Sequence, residues 1–76
     1  MNKARRKALS DLYDSLDDIK SLIEEIKGEE EEYLNNIPEN LQSSERYEIA
    51  EEAVSTLDDA VSSILDALDY IESAMQ

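Results

Sequence analysis

The sequence predicts an all-α fold: an antiparallel two-helix coiled-coil hairpin that pairs into a dimeric four-helix bundle. Two observations set the hairpin and a third sets the pairing. Apolar residues recur at alternating three- and four-residue steps in two long arrays, the spacing that keeps one seam of a helix turned toward a neighbour. The chain's one proline, Pro38, stands between the arrays in a polar stretch. The chain also has 76 residues and no cysteine. It is too short to bury a large core and has no disulfide to staple it, so helix packing or a second copy must supply the stability.

The first array is Leu9, Leu12, Leu16, Ile19, Ile23, Ile26, Tyr33 and Ile37, with Glu30 in its one charged slot. It predicts a helix over residues 4–36. Gly28 falls inside it and opens the run Gly28-Glu29-Glu30-Glu31-Glu32, which on its own could be a tip, a linker or a helix turn. A glycine within a helix costs about 1 kcal/mol relative to alanine. Phase decides between these readings. Tyr33 lies seven residues beyond Ile26, and Ile37 fourteen beyond Ile23, and a break would rarely preserve that spacing. The helix is therefore expected to run through Gly28.

The loop is expected over 37–43. Pro38 disfavours helical backbone at Ile37 and has no N–H to donate. Ser43 or Ser44 can cap the second helix, and Glu45 and Glu48 suit the positive end of its dipole. Ile37 and Leu41 are expected to fold over the end of the seam.

The second array is Tyr47, Ala50, Val54, Leu57, Val61, Ile64, Leu68, Ile71 and Met75, which predicts a helix over 44–75. A short connection makes the two helices antiparallel neighbours. Folding the chain about Asn40 opposes Leu9 with Ile71, Leu16 with Ile64, Ile23 with Leu57, Ile26 with Val54, and Glu30 with Ala50. It also brings Lys20 near Asp58, Lys27 near Glu51, Tyr13 near Leu65, and Arg5 and Arg6 near Asp69 and Glu72. Beside the second seam, alanine recurs at 53, 60, 67 and 74, and Leu22 and Leu65 widen the apolar stripe. A stripe broader than one neighbour can cover predicts the homodimer.

Enzymatic equipment is sparse, and the chain is expected not to be an enzyme. With no histidine and no cysteine, no Ser-His or Cys-His arrangement can be built. The Glu-x-x-His motif of di-metal bundles is missing, and Gly28 precedes the acids where a calcium-binding loop needs it among them. No catalytic residues, metal ligands or cofactors are expected. No apolar run approaches a membrane span, and the basic start is not followed by a continuous apolar segment of the signal-peptide kind. A cytoplasmic protein with no membrane partner is the expectation.

Charge is the dominant compositional feature. There are 20 acidic and 7 basic residues, for a net charge of −13. Four cations, Lys3, Arg5, Arg6 and Lys7, lie at the start; from residue 8 onward 3 cations face 20 acids, a net −17. That surface repels nucleic acid and is attracted to basic protein surfaces. The basic cluster reads better as a partner for the negative end of the second helix than as a nucleic-acid site.

On the first helix, Asp11, Asp18, Glu25 and Glu32 form one column, and Asp17, Glu24 and Glu31 the next, with Glu29 at the flank of the seam. Ten acids lie between Asp11 and Glu32. At 1.5 Å per residue that is one negative charge per roughly 3 Å, near the phosphate spacing of a DNA strand. Lys20 and Lys27 are expected to point at the second helix and leave this ridge undiluted. The other side of the second helix, with Ser55, Thr56, Ser62, Ser63, Ile49 and Tyr70, is nearly neutral. The bland alternative is a solvated face that serves only solubility.

The segments "EEEEYLNNIPENLQSSERYEIAEEA" and "LDDAVSSILDALDYIESAM" resemble short acidic proteins of phages and mobile elements of Gram-positive bacteria. The turn and cap "NIPENLQSSERYE" are the most specific part. By size, charge and helical content the chain is similar in type to phage anti-defence inhibitors, including anti-CRISPR proteins that mimic DNA. The resemblance implies a host-cell cytoplasmic inhibitor and a basic nucleic-acid-binding partner, such as a Cas nuclease or restriction enzyme. It carries over no site residues. From the charge pattern, the expected contact residues are Asp17, Asp18, Glu24, Glu25, Glu29, Glu31 and Glu32. The alternative is a structural homodimeric adaptor or assembly protein of a phage or mobile element, acting through the neutral face.

Overall fold

The computed structural model describes residues 1–76 and contains two long helices and no strand. Helix α1 spans Lys3–Asn35 and α2 spans Glu45–Met75, with a single 3-10 turn at Glu39–Leu41 between them. They pack side by side as a hairpin, a rod of 59 × 15 × 13 Å.

Local chemistry sets each boundary. Asn2 Oδ1 accepts the Arg5 N–H at 2.8 Å and caps α1. Helical hydrogen bonding ends at Asn36, whose N–H reaches Glu32 O, just before Pro38 imposes an extended backbone (φ −56°, ψ 145°). Ser44, rather than Ser43, caps α2: its Oγ accepts the Tyr47 N–H at 3.3 Å, and Glu45 and Glu48 occupy the first turn. Gly28 lies within continuous helix and has no positive φ, so no special backbone geometry explains its presence.

Covered and exposed residues repeat regularly. On α2 the covered positions are the predicted seam, from Tyr47 to Met75, and Ala53, Ala60 and Ala67 beside it are half-buried. On α1 the seam is rotated from the predicted one. Leu9, Leu16, Ile23, Glu30 and Ile37 are covered as expected, but the other inward column is Tyr13, Lys20, Lys27 and Leu34. Leu12, Ile19, Ile26 and Tyr33 are all exposed, Leu12 at 59 % and Ile26 at 55 %.

The column turned to α2 is apolar only at its ends, Tyr13 and Leu34, with Lys20 and Lys27 between them. Since one neighbouring helix covers only two columns, the fully apolar Leu12, Ile19, Ile26 and Tyr33 column is left outside. Leu41 likewise remains exposed while Ile37 is half-buried. The core is correspondingly small: only Ala50, Val61 and Leu68 are buried, Leu68 to 3 % exposure.

Candidate functional site

A single lysine fixes one flank of the rod. Lys27 Nζ lies 2.9 Å from Asp58 Oδ1 on α2 and 3.5 Å from Glu31 Oε1 on its own helix. Glu31 and Asp58 therefore share a flank. Seven-residue steps along a seam of constant register place Glu24 and Asp17 on it with Glu31, and Glu51, Leu65 and Glu72 with Asp58. The two outer columns of this flank are acidic except for Leu65, with Lys20 and Lys27 set between them.

The expected partner of Lys27 was Glu51, so the observed pair lies one heptad further along α2. Lys20, expected near Asp58, instead pairs within α1, with Asp17 at 3.3 Å and Glu24 at 3.7 Å. Arg5 and Arg6 form no ion pair with Asp69 or Glu72; Arg6 Nη2 donates to the Met1 carbonyl at 2.7 Å.

These lysines divide the predicted contact residues. Asp17, Glu24 and Glu31 each lie beside a lysine, so their column is partly neutralised, contrary to the expected undiluted ridge. The hydrogen bond from Lys20 to Asp17 raises the Lys20 pKa above 10.5 despite the opposing effect of burial, and the bond to Asp58 does the same for Lys27. Both ammonium groups stay charged. Asp18, Glu25 and Glu32 are exposed and have no cation within ion-pair distance. Asp11, the first of that column, is paired with Lys7 at 2.8 Å.

Glu29 stands apart. Placed three residues after Ile26 and four before Tyr33, it belongs beside the exposed apolar column rather than on the acidic flank. The carboxylates stand in rows along the helices, and no group of three is placed to hold a cation.

The opposite flank was anticipated on α2, as the alanine row and the neutral side bearing Ile49, Thr56, Ser63 and Tyr70, but not on α1, where Leu12, Ile19, Ile26 and Tyr33 were assigned to the seam. Near the loop, Tyr33 of α1 and Arg46 and Ile49 of α2 line one open groove of ≈ 520 Å³, together with Glu30, Glu45 and Ala50. Tyr33 and Ile49 therefore face the same way. Seven-residue steps add Ile26, Ile19 and Leu12 on α1, and Thr56, Ser63 and Tyr70 on α2, with Arg46 leading into Ala53, Ala60, Ala67 and Ala74. Leu22 fits between Ile19 and Ile26. All of these large residues are exposed, Tyr70 most of all at 76 %. The sequence signal for this face was Leu22 and the alanine row, which make the apolar stripe wider than one neighbouring helix can cover.

No protein-family model matches the chain, and neither a curated protein nor a solved structure is significantly similar to it. Its surfaces must carry the functional reading. No helix is long and apolar enough to cross a membrane.

Proposed function

We propose that the chain is a non-enzymatic binding protein whose acidic surface occupies a basic, nucleic-acid-binding groove of another protein. The observation that carries this reading is the column Asp18, Glu25 and Glu32, exposed on a long continuous helix and free of neutralising lysines. Beside it lies the Asp17, Glu24, Glu31 column, which continues onto Asp58 of α2. A rigid row of carboxylates offers lysine and arginine the acceptors they otherwise find on phosphates, and its field speeds encounter. In the setting implied by the resemblance to phage proteins, the target is a host defence nuclease, and the effect is inhibition by DNA mimicry.

The test is capture of nucleic-acid-binding proteins from a Gram-positive bacterial lysate on the immobilised chain, followed by challenge with duplex DNA. The reading requires that DNA release the captured protein and that Asp18→Lys/Glu25→Lys/Glu32→Lys fail to capture it. Capture that survives both the triple reversal and high salt would sink it.

A second reading, a structural adaptor, is favoured by one separate observation: the exposed apolar flank from Leu12 to Tyr33. An adaptor would bind through that flank and tolerate salt. The triple reversal leaves the flank untouched and so separates the two.

A further inference from the structure

We propose that the flank bearing Leu12, Ile19, Ile26 and Tyr33 is a self-association face, on which a second copy of the chain docks to complete a four-helix bundle. The acidic reading is independent of this proposal.

Charge selects the occupant. Apart from the loop end, where Glu29, Glu30, Glu45 and Arg46 meet, the columns that form this flank carry no charged group over residues 8–28 of α1 and 47–74 of α2. Two chains of net charge −13 repel each other elsewhere, and this is the surface on which they can close.

Size agrees. A flank 59 Å long and 13–15 Å wide presents roughly 800 Å² in projection, the area that each partner contributes to a standard stable interface. Need agrees as well, because three buried residues are a small core for a chain of this length.

Shape selects the arrangement. On α1 the face carries a row of large residues at seven-residue spacing; on α2 it carries a row of alanines at the same spacing. A two-fold axis parallel to the rod lays the large row of each copy over the alanine row of the other, so that both rows interdigitate. Both loops then lie at the same end. The other two-fold, across the rod, sets large on large and small on small, with the loops at opposite ends.

The experiment is sedimentation equilibrium at tens of micromolar, with helix content followed by circular dichroism. The native chain is expected at twice 8.6 kDa, and the charge-conserving Ile19→Gln/Ile26→Gln variant at the monomer mass with its helices retained, because both residues are exposed within one hairpin. Since that variant keeps every acid, its loss of dimer is distinguishable from failure of the acidic reading. Should it unfold, Ala60→Gln, which obstructs the facing row, must lower the dimer fraction. Spin labels at Asn40→Cys are expected much closer together than the 59 Å rod length. A monomeric native chain, a dimer unaffected by these substitutions, or labels near a full rod length apart would overturn the proposal.

Discussion

Lys27 Nζ, 2.9 Å from Asp58 Oδ1, makes the one ion pair that joins the two helices. It bridges two acidic columns on one flank, and its hydrogen bond to Asp58 raises its pKa above 10.5. A group whose pKa is raised on folding contributes stability that is full below its unfolded value and lost as pH rises through the folded one. The melting temperature of the native chain is therefore expected to fall between solutions well below and well above pH 10.5. In Lys27→Met that alkaline drop is expected to be smaller, which thermal melts of the two proteins at both pH values would reveal.

Gly28 offers a simple test of helix continuity. A Cβ built there meets nothing within 4 Å, and the backbone is already helical. Gly28→Ala is expected to stabilise the chain by about 1 kcal/mol, which raises the melting temperature by roughly 5 °C for a domain of this size. A fall in melting temperature would mean that the helix is broken or tightly bent at that point.

Glu30 occupies a seam position, half-buried and without an ion-pair partner. Glu30→Leu extends the apolar seam toward the loop and is expected to add about 1 kcal/mol of stability from the area buried. Chemical denaturation should show a higher midpoint. If stability drops instead, the carboxylate has a role at the Arg46 groove that its packing alone does not reveal.

How much of this was legible in the sequence differs by feature. The two helices and their caps were readable because three-four spacing, Pro38 and Ser44 act through local physics. The face that α1 turns to α2 was not readable from spacing, because the column it uses carries Lys20 and Lys27 between Tyr13 and Leu34 and is less apolar than the Leu12, Ile19, Ile26 and Tyr33 column it leaves out. Only the packed hairpin shows that Leu12, Ile19, Ile26 and Tyr33 are left over. The partner of Lys27 was ambiguous for a related reason, since a flexible four-carbon stem reaches acids a heptad apart on the facing helix. Partial neutralisation of the acidic ridge, by contrast, could have been anticipated. Lys20 stands three residues after Asp17 and four before Glu24, and Lys27 four before Glu31, the spacings at which helix neighbours pair.

The division of the acids into paired and free columns predicts different phenotypes. Removing the free charges by Asp18→Asn/Glu25→Gln/Glu32→Gln is expected to slow association with a basic partner about tenfold at low salt, with no loss of thermal stability. Asp17→Asn/Glu24→Gln/Glu31→Gln strips Lys20 and Lys27 of their helix partners, and is expected to lower the melting temperature while weakening binding less. Association kinetics and thermal melts on both triple variants would check the split.

Salt distinguishes the two surfaces by sign. At 0.15 M ionic strength the Debye length is about 8 Å, so added salt screens both the repulsion between like-charged chains and the attraction to a basic partner. Pairing through the apolar flank is expected to strengthen with salt, whereas capture through the acidic columns is expected to weaken. Sedimentation and partner binding, measured over one salt series, should move in opposite directions.

The most direct test of the acidic-mimic account is competition with DNA for a captured partner. Duplex DNA is titrated against the complex between the immobilised chain and a nucleic-acid-binding protein drawn from lysate, at low salt. The account predicts stoichiometric release by DNA, with no complex formed by Asp18→Lys/Glu25→Lys/Glu32→Lys. A partner that binds DNA and this chain simultaneously, with the reversed variant still bound, would contradict it.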